Sequence, residues 1–480
     1  MPPDGGHVQP HEHWIGGASC PPSLGQYFDV VEPDVDRVFA RAAHGSVADV
    51  DAAVRAAHAA FSGFSTAPVN VRESILSRAA ALLERDAEEF AALMVREVGS
   101  PISKARNEVQ RSVDVLRAAS GATRYLSGRT LPSDSPKKMN LTFRVPLGVV
   151  ASITPFNVPL AKGVRLSAIP LAFGNTVVML PSEESPLMAL RLARLYQEAG
   201  LPRGCLNVVT GFGHEIGDAL TGHPLVRSIS FTGSTRVGAH IRDIAARTGK
   251  KLTLELGGKN PLVVLDDADL DRAVAAAIQG SFANQGQICM ASSRIYVQRE
   301  IAADFVARFV AAARQLRSGE LMDPTTSIGP IINTRQRERI TAHIDDAVAK
   351  GAVVQCGGRW IGNRCEPTIL TGVTEQMICC AEETFGPVTS VYVVEGLEEA
   401  LRRANDSRYG LSAAIFTANL NHAMTYAMGV NCGMVHVNGP TSQAEPHVPF
   451  GGTGDSGAGR EGPEYDMDAM TEWKWVSIQL

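Results

Sequence analysis

The chain has 480 residues, and its 45 basic and 50 acidic side chains leave a formal net charge of −5. At about 150 residues per domain, this length predicts roughly three domains or lobes. Apolar residues make up 45% of the sequence and charged residues 20%, as is usual for a soluble globular protein. This balance excludes a polycation built to bind nucleic acid, because such proteins carry a basic stripe.

The sequence contains no run of about 18 uncharged apolar residues, so we expect no membrane span. The N-terminus lacks the basic and apolar regions of an export signal. The eight cysteines form no CxxC pair and are too sparse for a disulfide framework, which favours a cytoplasmic protein. His7, His11 and His13 lack the further ligands of a zinc site, so we predict a solvated tail there and no metal.

Helices are predicted in the first part of the chain. One is expected to begin at a Ser46 cap, and another to end at Gly99. Apolar residues repeat at helical spacing in both, and we expect both stripes to pack into the core. They are Val47, Val50, Val54 and Phe61 in the first helix, and Phe90, Leu93, Met94 and Val98 in the second.

Two segments show the alternation of half-buried strands. In the first, Leu141, Phe143 and Val145 alternate with polar residues, and in the second Trp473 and Trp475 flank a lysine. The two strands either pair with another subunit or form the edge of one domain, and the pattern favours neither.

From residue 148 onwards, short β-rich runs alternate with helical stretches. GVVASITPF, TVVML, CLNVVTG, SISFTGS and LTLELGG are each bounded by Gly, Pro or Ser, and the alternation resumes with PLVVL after Gly258. Strands that alternate with helices favour a parallel sheet with helices on both faces. We therefore predict an α/β fold with two doubly wound, Rossmann-like domains.

Two glycine patterns are candidates for a phosphate site. Gly211, Gly213 and Gly217 read GxGxxxG, one residue longer than the dinucleotide fingerprint. Phe231-Thr232-Gly233-Ser234 follows a strand and opens a helix, whose free N–H groups suit a pyrophosphate. Taken locally, the second pattern is also that of an ordinary helix capped by serine.

FANQGQICMASSR is the most unusual stretch, since polar residues and glycine interrupt an apolar segment just before Cys289. A lone cysteine is more often a structural residue than a nucleophile. A nucleophile needs a base and oxyanion donors, and Glu255 and Asn157 both follow predicted strands. Because the carboxyl ends of parallel strands meet at one edge of a sheet, these three residues predict a single site.

Seven segments occur in the order and approximate spacing of the NAD(P)-dependent aldehyde dehydrogenase superfamily, which the chain resembles from about Trp14 to its C-terminus. They are TPFNVPL, PSEESP, FTGS, LELGGK, NQGQIC, EETFGPV and PFGGTGDSGAGRE. The resemblance implies a dinucleotide-binding domain over residues 1–126 and 147–257 and a catalytic domain over 258–455. Strands over 127–146 and 468–480 are then oligomerisation elements of a homodimer or homotetramer.

The resemblance also implies the chemistry. Cys289 corresponds to the nucleophile that forms a thiohemiacetal and then a thioester with the aldehyde carbon. Asn157 corresponds to an oxyanion donor, together with the backbone N–H of Cys289. Glu255 corresponds to the general base that activates the hydrolytic water, which favours release of a free acid over transfer to coenzyme A.

By the same resemblance the cofactor is NAD, because a carboxylate at Glu183 faces the adenosine ribose and would repel a 2′-phosphate. Gly233 and Ser234 correspond to the pyrophosphate site, and Glu383 and Phe385 to the nicotinamide ribose and ring. The further cofactor-binding candidates are Thr154, Pro155, Phe156, Gly213, Phe231 and Leu256.

One departure from the family concerns the residue before PSEESP. The family usually has a lysine there that contacts the ribose, whereas this chain has Leu180. A hydrogen bond to a charged group is worth about 1–3 kcal/mol, so we predict weak NAD binding.

For the substrate, Phe450 and Phe156 correspond to positions that line the aldehyde pocket. The surrounding segments look most like the dehydrogenases of aromatic aldehydes of the salicylaldehyde, benzaldehyde and vanillin type. No cationic residue stands out at the matched pocket positions, which disfavours acidic semialdehydes. Three alternatives stay open: an aliphatic or semialdehyde dehydrogenase using NAD or NADP, a thiol esterase without a dinucleotide, and a non-catalytic family member.

Overall fold

The computed structural model describes residue 8 and residues 10–480; His7 lies outside the described residues. Its α-helices, in chain order, are α1 (Val47–Ser65), α2 (Val69–Arg85), α3 (Ala87–Val98), α4 (Ile102–Ala122), α5 (Pro159–Ala172), α6 (Pro186–Glu198), α7 (Gly213–Thr221), α8 (Thr235–Thr248), α9 (Leu270–Phe282), α10 (Arg299–Ala313), α11 (Thr334–Ala349), α12 (Ile378–Ala381), α13 (Leu397–Asn405), α14 (Leu420–Gly429) and α15 (Pro463–Met470). A short 3₁₀ helix, Ala283–Gly286, follows α9.

The strands are two to nine residues long. In chain order they are β1 (Pro10–His11), β2 (His13–Ile15), β3 (Ala18–Cys20), β4 (Tyr27–Glu32), β5 (Arg37–Ala43), β6 (Arg129–Leu131), β7 (Lys138–Pro146), β8 (Val149–Thr154), β9 (Thr176–Pro181), β10 (Leu206–Val208), β11 (Val226–Thr232), β12 (Lys251–Glu255), β13 (Asn260–Val264), β14 (Ser292–Gln298), β15 (Val353–Cys356), β16 (Trp360–Ile361), β17 (Arg364–Cys365), β18 (Thr368–Thr371), β19 (Val388–Val394), β20 (Tyr409–Gly410), β21 (Ser412–Phe416), β22 (Met434–Val437), β23 (Thr453–Gly454), β24 (Gly457–Ala458) and β25 (Thr471–Gln479).

Two large sheets organise the molecule. The first has the order β24-β12-β11-β8-β9-β10-β2-β3, and its five central strands are parallel. The second has the order β15-β18-β19-β14-β13-β21-β22, and all its pairs except β15–β18 are parallel. The predicted pair of parallel α/β sheets is present, and their carboxyl edges are where ligands bind in such folds.

Both faces of the first sheet are covered by helices, which is why its central strands β8, β9 and β10 are almost entirely buried. Along β9, Val177 and Met179 pack into one apolar cluster, whereas Val178 and Leu180 pack into another. The first cluster includes residues of α2–α6, and the second includes residues of α1, α7 and α8. Leu180 is 2% exposed, so its side chain is a core residue.

The two alternating segments pair with each other. Strands β7 and β25 are antiparallel over nine positions, from Thr471 opposite Pro146 to Gln479 opposite Lys138, and β6 pairs with β7. The ladder leaves large apolar side chains exposed, among them Phe143, Trp473 and Trp475. It is a three-stranded sheet of its own, separate from the two large sheets.

Two local predictions were confirmed and two were wrong. Ser46 caps α1, and α3 ends at Gly99 in the left-handed conformation. Val47, expected in the core, is 60% exposed because it is the first residue of the capped helix. His13 is fully buried, not part of a solvated tail, and its Nδ1 accepts a hydrogen bond from the Thr210 N–H at 3.2 Å.

Among the described helices, none combines the length and the apolar character that a membrane crossing requires. Within the same residues, no group of three or more His, Cys, Asp or Glu side chains is arranged to hold a metal ion. All eight cysteines are free thiols.

Candidate active site

The predicted site residues of the first sheet follow the carboxyl ends of its five parallel strands. Thr154 ends β8 and Asn157 follows it, Glu183 follows β9, and Gly213 follows β10. Gly233 and Ser234 follow β11, and Glu255 ends β12. The structure therefore places them along a single edge, with Gly213, on the outermost of these strands, farthest from Glu255.

Cys289 lies in a loop with an unusual backbone. Asn284, Gln285 and Gly286 have φ values of 51°, 55° and 66°, three successive left-handed residues. Only glycine adopts this conformation without strain, so the loop depends on its side-chain hydrogen bonds. The amide of the fully buried Gln285 donates to the carbonyls of Gly99 (3.3 Å) and Pro330 (3.2 Å).

The backbone on both sides of the thiol is also anchored. Nδ2 of Asn260, at the start of β13, donates to the carbonyl of Cys289 at 2.8 Å and to that of Ala291 at 2.9 Å. Thr441 donates to the carbonyl of Met290 at 2.7 Å. Asn260, the first residue of β13 in the second sheet, thus anchors the Cys289 loop.

Asn157 reaches the same loop from the other side. Its Nδ2 donates to the carbonyl of Gln287 at 2.8 Å, and the residue is 7% exposed. An amide nitrogen carries two protons, so one N–H is left over for a ligand. The carbonyl of Asn157 accepts a hydrogen bond from Lys104 Nζ at 2.9 Å, which fixes the turn that presents the side chain.

A buried carboxylate positions this turn. Oε1 of Glu108 accepts the N–H groups of Leu160 (3.0 Å) and Ala161 (3.1 Å) in the first turn of α5, and Lys104 binds its other oxygen at 2.6 Å. Negative charge is stabilised at a helix N-terminus. Neither Glu108 nor Lys104 was predicted from the sequence, because an i,i+4 charge pair such as theirs in α4 is common on helices.

Glu255 is buried, 2% exposed, and among the described residues neither carboxylate oxygen has a hydrogen-bond partner. Burial, followed by the charge of Glu461, raises the pKa of Glu255 well above its usual value, against the opposing charges of Lys162, Arg165 and Arg460. A Cβ added at Gly451 would lie 2.7 Å from Glu255 Oε1, so a glycine is needed beside it. An unpaired buried carboxyl of this kind is typical of a functional group.

The thiol of Cys289 is partly exposed and packs against an apolar cluster formed by Met290, Leu411, Met434 and Phe450. Burial raises the pKa of the thiol to about 12, and of its charged neighbours Lys162 lowers this value whereas Glu255, Glu383 and Glu461 raise it. The thiol of Cys289, these three carboxyls and Phe450 are therefore close to one another.

Glu383 and Phe385 lie on the segment after α12. Glu383 accepts a hydrogen bond from the Gly258 N–H at 3.1 Å, and burial raises its pKa to about 7. Phe385 has a left-handed φ of 56°, and its ring meets that of Phe156 edge to face, with centroids 5.9 Å apart. Both rings are half-buried, so this predicted pair forms one wall at the junction of the two sheets.

Gly233 and Ser234 form the turn into α8. Ser234 caps the helix by accepting from the Val237 N–H at 3.4 Å and is exposed. A Cβ at Gly233 would strike the ring of Phe231, so the glycine is required. Phe231 and Leu256 are themselves buried, 6% and 2% exposed, with their side chains in the core beneath this turn. An open helix N-terminus beside the crevice fits a pyrophosphate.

Two buried cations that were not predicted from the sequence lie near Phe450 and Glu461. Lys162 and Arg165 project from α5, and Lys162 Nζ lies 4.9 Å from the centroid of the Phe450 ring. Both cations bind Glu461, which is 299 residues from Lys162. In the sequence, the signal for this group is a lysine and an arginine three residues apart in α5, which is otherwise largely apolar.

Comparison with known proteins gives the family. The sequence profile described as "Aldehyde dehydrogenase family" matches residues 21–476. The vanillin dehydrogenase of Pseudomonas fluorescens is 41% identical over 468 residues, which cover 97% of both chains. This relative confirms the resemblance to dehydrogenases of aromatic aldehydes.

Solved structures agree. A salicylaldehyde dehydrogenase from Pseudomonas putida G7, complexed with salicylaldehyde, has a TM-score of 0.95 at 40% identity and covers 99% of both chains. A betaine aldehyde dehydrogenase from Staphylococcus aureus, in complex with NAD+, has a TM-score of 0.95 at 32% identity over 98% of this chain and 97% of that one. The predicted α/β fold class is confirmed. The chain belongs to the aldehyde dehydrogenase family, whose members are NAD(P)-dependent, and it is an aldehyde-oxidising enzyme.

Proposed function

We propose that this enzyme oxidises an aromatic aldehyde to its carboxylic acid with NAD+, using Cys289 as nucleophile. The observation that carries the proposal is the packing of the Cys289 thiol against the apolar cluster containing Phe450, beside the unpaired carboxyl of Glu255. Ring-on-ring contact is worth about 0.5–1.5 kcal/mol beyond area burial, so a flat substrate gains from this wall. Relatives named for vanillin and salicylaldehyde support this substrate class.

In the first step the Cys289 thiolate bonds to the aldehyde carbon and the carbonyl oxygen becomes an oxyanion. The second N–H of the Asn157 amide and the backbone N–H of Cys289 donate to that oxygen. Because Asn157 is already held by its bond to Gln287, little reorganisation is needed. One such donor is typically worth about 3–4 kcal/mol of transition-state stabilisation.

Bound NAD+ supplies the acceptor for the hydride that leaves the thiohemiacetal carbon. On this chain, Gly233 and Ser234 would hold its pyrophosphate, Glu183 its adenosine ribose, and Glu383 and Phe385 its nicotinamide ribose and ring. The remaining contacts are assigned to Thr154, Pro155, Phe156, Gly213, Phe231 and Leu256. An exposed helix N-terminus and a half-buried carboxyl beside Gly258 are features that suit such a cofactor.

In the last step Glu255 takes a proton from the water that hydrolyses the thioester. Its two oxygens are available for this because no described side chain or backbone group binds them. Burial raises the pKa of this carboxyl, so its basic form becomes more abundant as the pH rises.

The preference for NAD over NADP rests on Glu183, which is half-buried just past β9. A carboxylate there repels a ribose 2′-phosphate. We further propose the domain division into residues 1–126 with 147–257 for the cofactor and 258–455 for catalysis. The strands of 127–146 and 468–480, with their exposed tryptophans, would join subunits in a homodimer or homotetramer in the cytoplasm.

A substrate panel tests the proposal. Benzaldehyde, a short aliphatic aldehyde and succinic semialdehyde are offered with NAD+ or NADP+, and absorbance at 340 nm is followed. The expected result is preferred oxidation of benzaldehyde with NAD+, abolished in Cys289→Ala and retained in the matched control Cys20→Ala. Preference for the aliphatic aldehyde refutes the substrate class, and undiminished oxidation by Cys289→Ala refutes the mechanism.

A further inference from the structure

Three charged side chains are buried together on the Phe450 side of the thiol. Lys162, Arg165 and Glu461 are 7%, 9% and 1% exposed. Lys162 Nζ lies 2.6 Å and 2.7 Å from the two oxygens of Glu461, and Arg165 Nε lies 3.0 Å from one of them. Two cations therefore share one carboxylate in a place where charge is costly.

The nearby carboxyls do not balance the second cation. Burial raises the pKa of Asp466 to about 7 and that of Glu255 well above its usual value, so neither carboxyl is a fully ionised partner near neutral pH. Arg165 alone would neutralise Glu461, and a second buried cation weakens folding unless an anion meets it. The group of Lys162, Arg165 and Glu461 thus carries an excess of one positive charge.

This excess lies beside the Phe450 ring. Phe450 and Glu461 are held opposite each other by two backbone hydrogen bonds of 2.9 Å and 2.7 Å, and the Lys162 ammonium lies 4.9 Å from the Phe450 ring centroid. Phe450 belongs to the cluster that packs with Cys289, and the charge of Lys162 acts to lower the pKa of that thiol, so the ammonium and the thiol are neighbours. An ammonium has three N–H donors, and Glu461 uses two.

We infer that Lys162 is a specificity-determining residue that selects aromatic aldehydes bearing an anionic ring substituent, a carboxylate or an ionised phenol. The inference rests on the proposed oxidation of aromatic aldehydes and names the substrate class within it. The third N–H of Lys162 donates to the anion, and the excess charge of the group is cancelled when substrate binds.

The first test uses the unmodified enzyme with two matched substrates, 4-carboxybenzaldehyde and its methyl ester, which differ in charge. We expect kcat/KM for the carboxylate to exceed that for the ester by about 10- to 100-fold, the value of a hydrogen bond to a charged group. A further comparison measures kcat/KM for 4-hydroxybenzaldehyde above and below the pKa of its phenol, and shows whether an ionised phenol is also preferred. Equal rates for acid and ester overturn the inference.

The second test uses Lys162→Met, which keeps the length of the side chain and removes its charge, and Lys162→Arg, which keeps the charge. We expect Lys162→Met to lower the acid-to-ester ratio of kcat/KM to near one, chiefly through KM, and Lys162→Arg to retain the preference. A ratio that is unchanged in Lys162→Met overturns the inference. Oxidation of benzaldehyde without any charge preference refutes this inference alone, whereas no oxidation of any aromatic aldehyde refutes the proposed function as well.

Discussion

The side-chain amide of Asn157 donates a 2.8 Å hydrogen bond to the backbone carbonyl of Gln287, two residues before the thiol. The bond joins the turn after β8 to the loop after α9, and Asn284 donates to the same carbonyl at 3.3 Å. The donor assigned to the oxyanion is therefore also a restraint on the loop that carries the nucleophile.

We expect Asn157→Ala to lower kcat by about 10²–10³-fold, the usual loss for one oxyanion donor. Asn284→Ala is the matched control, because it removes loop hydrogen bonds but no assigned oxyanion donor. Steady-state kinetics of both variants separate the roles. Equal losses in the two would show that Asn157 only supports the loop.

The pH dependence of the thiol gives a second prediction. Because burial raises the pKa of Cys289 to about 12, the thiolate fraction of the cofactor-free enzyme grows with pH across the accessible range. We expect the rate of alkylation at Cys289 by iodoacetamide to rise about tenfold per pH unit up to about pH 10. Mass spectrometry of the labelled peptide distinguishes Cys289 from the other seven cysteines. A plateau below pH 9 would contradict the prediction.

Replacing Glu255 separates the two halves of the reaction. Glu255→Gln is expected to form one reduced cofactor per active site and then stop, since no base remains to hydrolyse the thioester. Rapid-mixing absorbance at 340 nm measures this burst. Glu464→Gln, an exposed carboxyl on α15, is the control and should turn over normally. Continuous turnover by Glu255→Gln would exclude Glu255 as the base.

The same substitution, Glu255→Gln, is expected to change thermal stability by an amount that depends on pH. The folded protein holds the Glu255 proton to higher pH than the unfolded chain, so unfolding releases a proton and rising pH favours the unfolded state. We expect Glu255→Gln to raise Tm more at about pH 8 than at about pH 5. Thermal unfolding at the two pH values measures the difference, and a pH-independent shift would contradict it.

The buried Leu180 predicts weak binding of NAD. Leu180→Lys should lower the Kd for NAD by about five- to hundredfold. The flexible lysine side chain would extend past the strand end, and its ammonium would donate a hydrogen bond to the ribose. Leu180→Met is the control for apolar volume and should bind as the parent does. Tryptophan fluorescence titration gives the Kd of each. Family-typical affinity in the parent, with no gain in Leu180→Lys, would show that the ribose lysine is dispensable here.

The features that the sequence predicts well are strand ends and helix ends, which depend on residues close together in the chain. The strand ends that carry Asn157, Glu183 and Glu255 follow from alternating patterns, and Ser46 and Gly99 mark helix ends by local chemistry. Such signals lie within a few residues of the feature that they predict.

What depends on long-range packing was not predictable. The pairing of Lys162 with Glu461 joins residues far apart in the chain, and no local pattern shows it. The left-handed Asn284 and Gln285 are equally hidden, since their conformation is held by tertiary hydrogen bonds and not by residue type. The burial of His13 likewise follows from its contact with Thr210.

The 299-residue separation between Lys162 and Glu461 has a consequence for biosynthesis. While the ribosome is still translating the second sheet, the nascent chain already contains both cations of α5 but not their carboxylate. The ion pair cannot form until codon 461 is read. Premature termination shortly before that codon therefore yields a polypeptide with most of its core residues and two uncompensated charges, a species for chaperones and proteases to remove.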